Sequence, residues 1–177
     1  MNKFLSGLAL VLAACAAPQA ASADSGEIRF EGRINNATCK VDGGGTGSPS
    51  FTVRLPEVSK VQLAQLGAGE HASRTRFEMR LHDCQDVLGT VRAYFEAGPL
   101  VDPTTHTLRP SNNGPVHFAL IDQDDTQIPI GTELQAGTGY AMNETMYYDV
   151  AYQRVGAAGD IVAGDFDSRV TYSLQYD

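Results

Sequence analysis

What most limits the fold of this chain is strict alternation of apolar and polar residues in short runs. Ile28, Phe30, Gly32 and Ile34 fall on one side of an extended segment, and Arg29, Glu31 and Arg33 on the other. Phe51, Val53 and Leu55 alternate with Thr52 and Arg54. Phe77, Met79 and Leu81 alternate with Arg76, Glu78, Arg80 and His82. The same period recurs at Val116, Phe118 and Leu120, at Tyr148, Val150 and Tyr152, and at Val170, Tyr172, Leu174 and Tyr176. A period of two reads as half-buried strands, one face in a core and the other in water. Turn formers separate the runs: Gly43, Gly44, Gly45, Gly47 and Pro49, then Asn112-Asn113-Gly114-Pro115, then Gly156 to Asp160. One short helix is expected, capped by Ser59, with Val61, Leu63, Ala64 and Leu66 on its apolar face and Gly67 at its end. Many short strands with little helix predict an all-β sandwich with Greek-key connections.

The start of the chain reads differently. Lys3 precedes an almost wholly apolar run at residues 4–17, and small residues follow, ending in Ala21-Ser22-Ala23. That order is a secretory signal with cleavage after Ala23, and the apolar run is too short to span a bilayer. Leu12-Ala13-Ala14-Cys15 also matches the lipobox of lipoproteins, which would place a lipid on Cys15; the reading as a plain signal is preferred because Ala-Ser-Ala is a good cleavage site. Export leaves Cys39 and Cys84, which in an oxidising compartment most simply form one disulfide. Closing so long a loop stabilises by roughly 4 kcal/mol in the chain-entropy model. Losing Lys3 takes the net charge from −8 to −9, a balance that argues against nucleic acid or anionic membrane as partners.

The last run carries more than a fold. Gly164 is fourteenth from the end, alternating bulky residues follow, and Tyr176 is penultimate. This segment resembles the C-terminal signature of chaperone–usher pilins. The stretch before Cys84, the helix region at residues 55–66, and residues 26–34 with their internal glycine are similar to the same family. The resemblance covers the mature chain and is weakest between Leu100 and Met146.

What the resemblance implies is an incomplete immunoglobulin-like Greek-key sandwich that lacks its final strand and is completed by donor-strand complementation. It implies three segments: a signal at 1–23, a donor-strand extension at 24–37, and a pilin domain at 38–177. Ile28, Phe30, Gly32 and Ile34 would be the donor strand; the alternative is that they are the sandwich's own first strand. Gly164, Val170, Tyr172, Leu174 and Tyr176 would form the acceptor groove and the chaperone contact. The implied partners are a periplasmic pilus chaperone, an outer-membrane usher and other pilin subunits in a homopolymer. The implied place is a fimbrium on the cell surface, reached through the periplasm, and the implied role is a structural subunit of a fibre used in adhesion. A minor adaptor or a tip adhesin of the same fibre is the alternative.

Nothing in the sequence reads as catalytic. His71, His82, His106 and His117 are scattered and read as surface residues, and His82 and Asp83, adjacent in a strand, should point to opposite faces. Asp124-Asp125 reads as a solvated turn. No cofactor or metal is expected, since a metal-dependent enzyme on a β-sandwich would need clustered histidines.

Overall fold

The structure, a computed structural model, describes residues 38–85, 89–135 and 137–177. Six strands form in them: β1 (Thr38–Gly43), β2 (His71–Gln85), β3 (Val91–Phe95), β4 (Val116–Asp122), β5 (Thr145–Arg154) and β6 (Tyr172–Tyr176). They make a four-stranded sheet in the order β1-β2-β5-β4 and a two-stranded sheet of β3 and β6, with every pairing antiparallel. The all-β sandwich expected from periodicity is what forms. Residues 28–34 and the signal segment lie outside the described residues.

The inward faces are those the alternation assigns. Met79, Leu81, Val91 and Met146 are fully buried, and Phe95, Leu120, Tyr148 and Val150 join them in one core between the sheets. The ring of Tyr148 meets Phe95 edge-on, with centroids 5.3 Å apart. Both β1 and β3 went unread in the sequence. β1 carries Lys40, Asp42 and Gly43 among few apolar residues, while the alternation of β3 at Val91, Ala93 and Phe95 is only five residues long.

Bulges place the cysteines. Between Thr38 and Lys40 the partner strand advances from Gln85 to His82, one residue more than β1 does. The extra residue sits where Asp83 takes φ 50°. Cys84 is thereby turned toward Cys39, and the disulfide joins them with Cα atoms 4.0 Å apart. The same bulge corrects the expectation for His82 and Asp83. Alternation is broken there, and the imidazole Nδ1 lies 3.5 Å from the Asp83 carboxylate, which Lys40 also pairs at 3.0 Å. Lys40 holds the Asp83 carboxyl below its ordinary range.

Two further expectations need correcting. The helix α1 (Lys60–Gln65) is capped as expected, the Ser59 hydroxyl accepting from the Gln62 N–H at 3.1 Å. It is only six residues long and buries Leu63 alone, so Val61 stays 66% exposed. His117 is not a surface residue. Strand β4 is buried along its whole length, because Leu108 and Gln127 bridge its free edge and Thr107 reaches the His117 Nδ1 at 2.8 Å.

Candidate functional site: an open apolar groove

Two extended stretches are patterned like strands yet lie in no ladder among the described residues: 50–58 and 164–171. Their side chains still alternate. Phe51, Val53 and Leu55 are half-buried, with Thr52 and Arg54 exposed between them. Phe166, Ser168 and Val170 are half-buried, with Asp165, Asp167 and Arg169 exposed. Gly164 opens the second stretch at φ 147°, in the region that favours glycine.

The backbone of the second stretch is satisfied on one side only. The Asp167 carbonyl accepts from the Ser111 N–H at 2.8 Å and the Thr171 carbonyl from the Glu96 N–H at 2.8 Å. Asp177 continues this side through its two bonds with Thr90. Successive residues of an extended chain turn their N–H and C=O to opposite edges. Phe166, Ser168 and Val170 therefore aim theirs the other way, where no backbone partner stands among the described residues.

What lies on that side is a groove of about 1960 Å³, walled by the two stretches. Its floor is core: Phe77, Met79, Phe118, Leu120, Val150 and Tyr152. At one end Phe118, Tyr152 and Phe166 form an aromatic cluster with centroids 5.3 to 5.8 Å apart. The wall at 50–58 is held by side chains. Tyr172 donates its hydroxyl to the Pro49 carbonyl at 2.8 Å, and Tyr152 donates to the Pro56 carbonyl at 3.2 Å. Burial raises the pKa of both tyrosines, which keeps these hydroxyls protonated as donors. Phe51 lies against Gly43, where a Cβ would overlap its ring.

Of the residues predicted for this site, Gly164, Val170, Tyr172 and Leu174 line the groove. Tyr176 sits beyond its end, 36% exposed, its hydroxyl accepting from the Cys39 N–H at 2.8 Å. Ile28, Phe30, Gly32 and Ile34 lie outside the described residues. Reading the sequence missed the aromatic end of the groove and the identity of the opposite wall. Phe166 keeps phase with Val170 and Tyr172, a signal present in the sequence; that residues 50–58 face it across the sandwich is set by long-range topology.

An apolar trough bordered by amides and carbonyls with no ladder partner among the described residues has the chemistry to accept an extended strand. An extended strand puts alternate side chains into the floor and hydrogen bonds into both flanks at once.

Comparison with known proteins agrees with this geometry. The family model described as "Fimbrial protein" matches residues 28–177. The major fimbrial subunit SMF-1 of Stenotrophomonas maltophilia (strain K279a) is 34% identical over 174 residues, spanning 91% of this chain and 98% of that protein. The F17 fimbrial protein of Escherichia coli is 32% identical over 180 residues, spanning 94% and 96%. The crystal structure of the P pilus rod subunit PapA superposes with a TM-score of 0.60 at 18% identity, covering 85% of this chain and all of that one. That likeness is one of fold, the incomplete immunoglobulin-like sandwich expected from the sequence.

Proposed function

The chain belongs to the fimbrial protein family, and from that membership we propose that it is a structural shaft subunit joined to its neighbours by donor-strand exchange. The observation that carries this reading is the groove between residues 50–58 and 164–171, lined by apolar side chains and flanked by backbone with no ladder partner among the described residues. In the proposal, residues 26–34 of the next copy fill it. Ile28, Phe30 and Ile34 enter the floor, and Gly32 passes where no side chain fits. Burying a large apolar side chain is worth roughly 1.5–3 kcal/mol, so three anchors with their hydrogen bonds make a long-lived joint.

Before assembly the groove needs another cover. A periplasmic chaperone lending a strand along Val170, Tyr172 and Leu174, and an outer-membrane usher, are the partners proposed. A shaft role is favoured over a tip or adaptor role because the relative SMF-1 is named a major fimbrial subunit and matches over nearly its full length. The chain is proposed to act on the cell surface as a building element rather than a catalyst.

The test is to mix the purified chaperone–subunit complex with a peptide of residues 24–36. Displacement of the chaperone is expected, and a Gly32→Leu peptide should displace it far more slowly. A complex left intact by the unaltered peptide would overturn the donor-strand reading. Immunogold label along filaments supports the shaft role, whereas label confined to tips removes it.

A further inference from the structure

Building on that reading, we propose that charges on the groove rim set the register of the incoming strand, pairing Arg33 of one copy with Asp167 of the next, and Glu31 with Arg169. The donor's outward residues alternate in sign: Glu27, Arg29, Glu31, Arg33. The rim's exposed residues run Asp165, Asp167, Arg169, Thr171, Ser173. Two constraints limit how these rows can meet. The donor's apolar residues must face the floor, as Phe166, Val170, Tyr172 and Leu174 do. The free backbone groups of the wall also lie on these even-numbered positions. Slipping the donor by one residue would therefore turn its apolar face to water. Only shifts of two residues remain, in either direction of travel.

Each shift can be scored by sign. Running antiparallel to residues 164–174, with Arg33 opposite Asp167, the donor also sets Glu31 opposite Arg169, Arg29 opposite Thr171 and Asn35 opposite Asp165. Two pairs attract and none repel. Moving two residues one way sets Glu31 against Asp167 and Arg29 against Arg169; moving two the other way sets Arg33 against Arg169. Moving four brings Arg29 to Asp167 and Glu27 to Arg169 but sets Glu31 against Asp165. In the parallel direction, the one shift that brings both Arg29 to Asp167 and Glu31 to Arg169 also sets Glu27 against Asp165. Every other parallel shift offers at most one attractive pair.

The apolar face selects the same register independently. It sets Ile34 opposite Phe166, Phe30 opposite Val170 and Ile28 opposite Tyr172. Gly32 falls opposite Ser168, the one polar residue on the wall's inward face between Phe166 and Leu174, whose hydroxyl donates to the Arg109 carbonyl at 2.7 Å. Because the wall turns the backbone of Asp167 away from the groove, the charged pairs occupy non-hydrogen-bonded positions, where side chains approach most closely.

The test uses fibres of the full-length chain carrying paired cysteines. Non-hydrogen-bonded partners lie at a Cα spacing a disulfide can bridge. Arg33→Cys with Asp167→Cys should yield a covalent ladder on a non-reducing gel, and Arg33→Cys with Asp165→Cys or with Arg169→Cys should not. A ladder from either alternative pair overturns the register while leaving strand exchange standing. Fibres that never crosslink at any of the three positions overturn the register, and strand exchange itself then stands or falls on whether the unaltered peptide of residues 24–36 displaces the chaperone. A second measurement starts from the unaltered subunit. A peptide of residues 24–36 carrying Glu31→Arg and Arg33→Glu should displace the chaperone about tenfold more slowly than the unaltered peptide at low salt, and the gap should shrink at high salt. Equal rates at low salt overturn the charge-set register. Recovery of the unaltered rate when the altered peptide meets a subunit carrying Asp167→Arg and Arg169→Asp supports it.

Discussion

The four-stranded sheet and the two walls of the groove are written in the same alternating pattern but end in different states. In β2 and β5 the inward residues Met79 and Met146 are fully buried, and partners stand opposite one another from His71 and Gln153 to Arg80 and Thr145. In residues 50–58 and 164–171 the inward residues stop half-buried, and the backbone finds no ladder among the described residues. Alternation thus fixes which face is apolar and leaves open what covers it. Where the described residues supply the cover, the pattern becomes core; where no cover stands among them, the same pattern is left as an open apolar groove.

The sharpest way to break that contrast is to damage one side and watch the other. Met146→Ala removes a fully buried side chain from the paired sheet and should cost roughly 2–5 kcal/mol of folding stability. Denaturant unfolding of the subunit with a donor peptide bound would measure it. Strand capture by whatever remains folded should be little altered, because Met146 does not line the groove. Phe166→Ala should reverse the balance. Its ring packs on Phe118 and Tyr152 but is half-exposed. The empty subunit should lose about 1–2 kcal/mol, while peptide dissociation from the groove accelerates by more than that loss accounts for. If both variants lose stability and capture in equal proportion, groove and core are one cooperative unit and the contrast is mistaken.

A finer change asks how the loose wall is held. Tyr152→Phe keeps the ring and deletes only the hydroxyl that donates to the Pro56 carbonyl. A loss of roughly 0.5–1.5 kcal/mol is expected. With a donor peptide bound, it should be accompanied by faster amide exchange confined to residues 51–58, since nothing else among the described residues ties that backbone at Pro56. Exchange unchanged across that stretch would mean that packing of Phe51, Val53 and Leu55 holds the wall unaided.

Reading the sequence reached the sandwich, the helix cap at Ser59 and the disulfide pair, because each rests on a local signal. Period-two runs name a strand's face, a hydroxyl before a helical run names a cap, and two cysteines have one way to pair. What it missed depends on contacts far apart in the chain. The short alternation of β3 acquires its meaning from β6, more than seventy residues on. The edge of β3 is finished by the Gln135 side chain, whose amide bonds both the N–H and the C=O of Phe95 at 2.9 and 2.7 Å, as a neighbouring strand would. Asp83 and Ser73 adopt positive φ where β2 bulges, and no residue-type signal announced either break. His117 looked superficial because β4 alternates like the others, and only the bridges from Leu108 and Gln127 make both of its faces interior.

That histidine supplies the gentlest probe, and it tests whether the paired sheet is uniformly firm. Burial lowers the His117 pKa, Arg109 lowers it further, and Asp102 opposes both. The folded state therefore prefers the neutral imidazole, with Nδ1 beside the Thr107 hydroxyl. For a histidine whose folded pKa lies below its unfolded one, the unfolded chain binds the proton more readily. Its contribution is complete above the ordinary histidine range and is lost as pH falls through the folded pKa. Asp102 does not blur the window, because the N–H groups of Thr105 and Thr104 hold its carboxyl below the usual range. Stability measured by denaturant from about pH 7.5 down to about pH 5 should thus decline in the unaltered chain and decline less steeply in His117→Gln. Identical slopes would show that the imidazole is accommodated charged or neutral alike. A difference would mark the free edge of β4 as the place where acid first loosens the side of the molecule that the ladder otherwise secures.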